Sequence, residues 1–183
     1  SISDRVRIVA RMFQRVTDAL VAELRSIVGE AHVQTDDLER YSHDYTEDLR
    51  YPPEVAVRPR STEEVARIVK RAAELRVPVT AQGGRTSLSG GALCVHGGIA
   101  LSLERMNRIL EIDEQNQFAV VEPAVITQVL HEEVERRGLF YPPDPASRGS
   151  CTIGGNVAHG AGGPRALKYG VTKDWVTGLV AVL

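Results

Sequence analysis

Residues 77–92 read VPVTAQGGRTSLSGGA, a short β-branched run that breaks into a loop of four glycines and three hydroxyls between Gln82 and Gly91. Val79 to Ala81 has the composition of a strand, and glycine after it has a physical use. Without Cβ the backbone reaches positive φ and can turn several N–H groups toward one point, a nest for phosphate oxygens, with Thr86, Ser87 and Ser89 adding hydroxyl donors. The spacing is not GxGxxG and no Gly-Lys-Ser/Thr follows, so neither a doubly wound dinucleotide fingerprint nor a P-loop is present. Any phosphate would be held by loop amides more than by a helix dipole. The competing reading is a glycine-rich turn between two strands.

Upstream, Val55 to Val57 reads as a strand and Ser61 as the N-cap of a helix whose capping box Glu64 closes. Val65, Ile68, Val69, Ala72 and Leu75 share one face of that helix, which stops before Pro78. With the strand at Val79 this is a βαβ unit, which predicts a parallel pair with a right-handed crossover. Further upstream, Val6, Val9, Phe13, Val16, Leu20, Leu24 and Ile27 recur at spacings of three and four, predicting an amphipathic helix from Asp4 to Val28 that ends near Gly29. Residues 30–53, including SHDYTED at 42–48, are polar and predict a surface loop.

Downstream, Ile99 to Leu103 predicts a third strand, and Ile109 to Ile112 with Phe118 to Val121 a hairpin. A helix follows from about Thr127 to Arg137, ending at Gly138. The first sheet is expected to be parallel in character and the second mixed. A second glycine stretch, PPDPASRGSCTIGGNVAHGAGG, occupies residues 142–163. Pro142, Pro143 and Pro145 stiffen its approach, and Gly154 and Gly155 would let backbone come close to a flat ligand. Ser147, Thr152 and Asn156 can supply directional hydrogen bonds. The bland alternative is flexible surface, against which the lack of Lys and Glu speaks.

The remaining composition mostly excludes. A net charge of −2, with cations interleaved among carboxylates, offers no basic face for nucleic acid. Cys94 and Cys151 lack CxxC spacing, which fits a reduced cytoplasmic compartment. No apolar run approaches a membrane span, and the charged N-terminus lacks the apolar core of a signal peptide. His32, His96 and His131 show no metal-ligand spacing, His43 beside Asp44 reads as a surface contact, and His159 as a local hydrogen-bonding residue; no metal or catalytic residue is assigned. WVTGLVAVL at 175–183 reads as a buried strand without a terminating turn, so the chain is expected to be an N-terminal piece of a longer polypeptide.

In the paired order of its glycine stretches the chain resembles the FAD-binding domain of the vanillyl-alcohol-oxidase-type (PCMH-type) flavoproteins, nearest the glycolate oxidase flavin subunit, D-lactate dehydrogenase and D-2-hydroxyglutarate dehydrogenase group. EVAVRPRSTEEVARIV at 54–69, VPVTAQGGRTSLSGGA at 77–92, MNRILEID at 106–113, PPDPAS, CTIGGNVAHGAGG and KYG carry the resemblance, and SHDYT at 42–46 fits its leader. It spans roughly Val21 to Leu183. The fold it implies is α+β, two small α/β subdomains with a cofactor seam between them, truncated at the C-terminus. The expected divisions are residues 1–53 (helix and leader), 54–105 and 106–183.

The resemblance implies that Gly83, Gly84, Arg85, Thr86, Ser87 and Ser89 wrap the FAD pyrophosphate. It places Pro143, Asp144, Ser147, Cys151, Thr152, Gly154, Gly155 and Asn156 along the flavin and ribityl chain, with Ala158 and Gly162 close by. Members that attach flavin covalently often carry His where this chain has Arg85, so the FAD is expected to be non-covalent. The family's Pro-Gly after the Phe118 strand is Pro123-Ala124 here, and a turn needing positive φ would strain Ala124 by about 1 kcal/mol. The whole enzyme implied oxidises a small 2-hydroxy acid and passes electrons to a quinone or an iron–sulfur centre. Its substrate groups and any metal lie in a later domain absent here, which leaves this piece inactive alone. A homodimer and association of the parent complex with the membrane belong to the same expectation. Two other classes stay open on sequence alone: a non-redox nucleotide- or phosphate-binding module, and an interaction subunit pairing through its last strand.

Overall fold

The computed structural model describes residues 13–46 and 48–183. They form two compact units: the first holds the described residues up to Gln82 with Ser87–Ser102, the second Gly83–Thr86 with Leu103–Ala181.

In the first unit, α1 (Asp18–Val28) precedes β1 (Val33–Gln34), β2 (Val55–Val57), α2 (Thr62–Leu75), β3 (Val79–Gln82) and β4 (Ile99–Ser102). The sheet runs β1-β2-β4-β3, with β1 antiparallel to β2 and the other pairs parallel. The strands of the expected βαβ unit are therefore parallel but not neighbours. β4 lies between them, and all four of its residues are buried, as suits a strand flanked on both edges by parallel partners. Strand alternation gives Val55, Val57, Ile99 and Leu101 one face and Ala56 and Ala100 the other, where the two alanines cluster with Tyr41 and Cys94.

Both of these helices start where side chains can replace missing backbone partners. Ser61 caps α2 by accepting from Glu64 N at 3.2 Å, while the Glu64 carboxylate accepts from Arg60 N at 2.8 Å. The helix predicted from Asp4 begins, among the described residues, only at Asp18; Val6 and Val9 lie outside them. Thr17 caps α1 by accepting from Leu20 N. Before it, Val16 N donates to Glu54 Oε2 at 2.6 Å and Gln14 N to Arg76 O at 2.9 Å, so tertiary acceptors stand where a helix needs its own carbonyls. The leader also departs from expectation. Tyr41, Ser42 and Asp44 are buried, and β1 and two 3₁₀ turns, Glu30–His32 and Glu39–Tyr41, break what reads as loop.

The second unit opens with the hairpin of β5 (Ile109–Asp113) and β6 (Phe118–Val121), wholly antiparallel and not mixed, with a register shift between Ile109 and Glu111. Then come α3 (Thr127–Glu135), α4 (Ile153–His159), α5 (Ala166–Tyr169) and a 3₁₀ turn at Thr172–Trp175. Val125, Leu130, Val134 and Ile153 form its core, packed by Ile109, Ile112, Ala119 and Val121. The second glycine stretch is thus not loop throughout: Thr152 accepts from Gly155 N and starts a helix through Gly154, Gly155 and Asn156. The apolar tail read as a buried strand forms none. Leu179 and Val180 are exposed, and a strand needs a ladder partner that no described residue supplies.

Candidate cofactor-binding site

Within the second unit, Gly83, Gly84 and Arg85 line an open cleft of about 330 Å³ together with Ala124, Ile126, Val129, Ser150 and Thr152, and Glu104 and Asn107 complete it. The two glycines are required by protein packing. A Cβ on Gly83 would lie 2.5 Å from Thr152 Oγ1, and one on Gly84 would overlap the Ser150 carbonyl oxygen. Neither has positive φ; in this loop Arg85 (φ 54°) and Gly90 (φ 75°) do. The conformational demand expected of the paired glycines therefore falls on Arg85, at a backbone cost of roughly 1–2 kcal/mol.

The opposite wall is a chain of backbone hydrogen bonds. Ile126 and Thr152 form an antiparallel bridge, Thr127 N donates to Cys151 O at 3.1 Å, Ile153 N to Val125 O and Gly154 N to Pro123 O. A Cβ on Gly154 would lie 2.7 Å from Pro123 Cβ, so this glycine too is packed against protein, whereas Gly155 would meet only Thr152 Oγ1 at 3.2 Å. Ala124 is buried, donates its N–H to Met106 O at 2.8 Å and does not have positive φ, so the strain expected there is absent.

Behind the wall is a buried polar knot. Asn156 Nδ2 donates to Thr127 Oγ1 at 2.7 Å, and that hydroxyl lies 3.2 Å from both Cys151 O and Cys151 Sγ. Asn156 and Cys151 are almost fully buried, and neither lines the cleft. Farther along, Glu122 receives Arg108 through N, Nε and Nη2, which holds its carboxyl below the usual carboxylate range.

The chain is similar to known proteins. The family model described as an FAD binding domain matches residues 53–183. The chain belongs to that family. The FAD-binding domain is 48% identical over 143 residues to the glycolate oxidase subunit GlcD of Bacillus subtilis, covering 78% of this chain and 30% of that protein. It is 40% identical over 173 residues to the D-lactate dehydrogenase of Anaerostipes hadrus, covering 93% of this chain and 36% of that protein. Among solved structures, 4-ethylphenol oxidase from Gulosibacter chungangensis superposes with a TM-score of 0.69 at 30% identity, covering 78% of this chain and 29% of that one. The domain spans about a third of the length of its curated relatives.

Of the residues expected to touch FAD, the domain gathers Gly83, Gly84, Arg85 and Thr152 at one cleft, with Gly154 and Gly155 in the helical turn that Thr152 caps. Thr86 follows in the same unit, while Ser87 and Ser89 belong to the first unit, where their hydroxyls lie 2.9 Å apart and Ser87 O accepts from Tyr45 N. The SHDYT leader thus holds the hydroxyl half of the glycine loop. Pro143, Asp144, Ser147, Ala158 and Gly162 do not line the cleft. Pro143 O accepts from His131 Nε2 at 2.8 Å, Ser147 O from Ser150 N and Cys151 N, and Gly162 packs on Ala166 and Val171. Ala158 is exposed on α4.

Sequence reasoning passed over Ile126 and Val129, which look like ordinary core positions, and Thr127, whose role exists only through Cys151 and Asn156. Gly163 is a further omission: at φ 113°, with any Cβ overlapping Asp144 O, it admits glycine alone, and the GAGG run was its one signal. Tyr141 is pushed up to about 12, chiefly by burial, so its hydroxyl stays neutral at ordinary pH. Among the described residues no three His, Cys, Asp or Glu side chains gather as a metal site, and no helix is long and apolar enough to cross a membrane.

Proposed function

We propose that this domain holds FAD, non-covalently, inside an oxidoreductase that oxidises a small 2-hydroxy acid. One observation supports the reading: the loop Gly83–Arg85 and the segment Ser150–Thr152, which belong to the two glycine stretches that the resemblance assigns to the cofactor, meet at a cleft with both polar backbone and apolar lining. Such a lining suits a molecule that is anionic at one end and flat and apolar at the other. Gly83, Gly84, Arg85 and Thr86 would hold the pyrophosphate; Thr152, Gly154 and Gly155 would lie along the flavin. When bound, FAD supplies the two-electron acceptor that no side chain here can provide. The chain's own share is binding: buried Thr127, Cys151 and Asn156 keep the wall in one geometry.

The substrate class rests on similarity to a glycolate oxidase subunit, a D-lactate dehydrogenase and D-2-hydroxyglutarate dehydrogenases. The substrate-binding groups, a quinone or iron–sulfur acceptor, a homodimer and a cytoplasmic setting belong to the same reading. Arg85 carries a protonated, delocalised guanidinium with no nucleophilic lone pair where covalent members carry His, which supports dissociable cofactor.

The experiment is to purify the full-length protein, add FAD, desalt and record the visible flavin absorption, then precipitate with acid. Flavin bands that survive desalting and move to the supernatant after acid are expected. A protein without flavin bands overturns the reading, and flavin remaining in the pellet overturns its non-covalent part.

A further inference from the structure

We propose that Asp144 is a positioning residue that works through Arg148 and Arg165, fixing the strap of residues 142–152 whose far end forms the wall of the cleft. The inference rests on the FAD reading above but changes the part played by this carboxylate. Asp144 is buried and does not line the cleft. Both carboxylate oxygens are engaged: Oδ1 accepts from Arg148 Nη1 at 2.8 Å, and Oδ2 faces Arg165 Nε at 3.3 Å. Arg148 holds its carboxyl below the usual carboxylate range, with Arg165 adding to the effect.

The two arginines come from different places, and each leads somewhere. Arg148 sits within the strap, and its backbone carbonyl accepts from Gln128 N at 2.9 Å in the first turn of α3. From there Ser150 N and Cys151 N donate to Ser147 O, and Thr127 N donates to Cys151 O, which delivers Ser150 and Thr152 to the cleft. Arg165 comes from beyond α4, lies 5.2 Å over the Phe140 ring, and brings a segment so close that Gly163 has no room for Cβ beside Asp144 O. The carboxylate therefore joins the strap's start, its turn and the following segment at one charge-assisted node, where a buried acceptor with two cationic donors gives more geometric definition than a neutral contact. An amide there could keep one of these bonds but not the charge.

The test is a double-mutant cycle on the full-length, deflavinated protein, read by quenching of FAD fluorescence on titration. Asp144→Asn is expected to raise the FAD dissociation constant by about tenfold, a typical loss for a charge-assisted node. Arg148→Gln and Arg165→Gln are expected to raise it several-fold, and Asp144→Asn/Arg165→Gln no more than the worse single variant. Arg165→Lys and Asp144→Glu, which keep the charges, should return binding to within about threefold of wild type. Asp144→Asn should also shift the visible band shape of the bound flavin, which loss of global stability alone would not do.

Loss of binding in Asp144→Asn with unchanged binding in both arginine variants would mean direct contact with the cofactor and overturn the proposal. So would unchanged affinity in all three, even with a lower melting temperature. Should Asp144→Asn fail to fold, the Arg165→Gln and Arg165→Lys pair still decides. Wild-type protein that binds no FAD would instead sink the underlying cofactor reading, and this inference with it.

Discussion

Gly154 and Gly155 are adjacent, sit in the same helical turn and look equivalent in sequence, yet Gly154→Ala and Gly155→Ala should move stability in opposite directions. Alanine in place of glycine within a helix contributes roughly 0.5–1 kcal/mol, from backbone entropy and propensity. At position 154 the new Cβ would sit 2.7 Å from Pro123 Cβ and 3.0 Å from Pro123 O, the oxygen that already accepts from Gly154 N. A proline ring and a hydrogen-bonded carbonyl give way poorly, so the overpacking cost falls toward the upper part of the usual 1–3 kcal/mol. The net loss is about 1–2 kcal/mol, which for a chain of this size lowers the melting midpoint by about 2–8 °C. At position 155 the new Cβ would meet only Thr152 Oγ1 at 3.2 Å, the tip of a side chain that can shift slightly. There the propensity gain wins, and the midpoint should hold or rise by about 1–3 °C. The assay is thermal unfolding of the two variants beside wild type, without added FAD. Equal shifts in the two variants, or the larger loss in Gly155→Ala, would refute the argument that Gly154 is kept by Pro123.

Three further outcomes follow from particular contacts. Arg76 ends α2 in the left-handed region at φ 54° and is exposed, so Arg76→Gly should stabilise by about 0.5–1 kcal/mol in urea unfolding; a loss would show that its side chain matters more than its strain. Glu122 has its carboxyl lowered by Arg108, so its contribution is fully present above the unfolded value near 4.5 and disappears as pH falls through the lower folded value. The stability gap between wild type and Glu122→Gln, measured by urea unfolding at neutral pH and again near pH 3, should therefore close on acidification, and a constant gap would refute the pairing. Cys94 and Cys151 are buried, and burial raises the Cys94 thiol, so both should react slowly with a thiol reagent in the native protein and at once in denaturant; rapid native labelling of either would contradict the packing.

The elements that frame the cleft were largely legible in the sequence. β5, β6 and α3 stand where hydrophobic periodicity and turn residues put them, and Gly83, Gly84, Arg85 and Thr152 do come together. The contacts that the sequence did not show share a cause. The leader residues Tyr41 and Asp44 are buried by neighbours distant in sequence, the Cys151 and Asn156 side chains face Thr127 and not the cleft, and Asp144 answers to two arginines on either side of α4. No local pattern encodes any of these.

The sequence by itself determined the alternation of strands and helices outside the second glycine stretch, the cap at Ser61, and the two glycine stretches with their order, because these depend on bonds and sterics within a few residues. Only tertiary structure decided that β4 lies between β2 and β3, that Gly154 answers to Pro123, and that positive φ falls on Arg85 beside two glycines that do not need it. Those choices depend on which surfaces bury one another and which backbone groups find acceptors far along the chain, and a glycine spared its Cβ records only that something is close, not what.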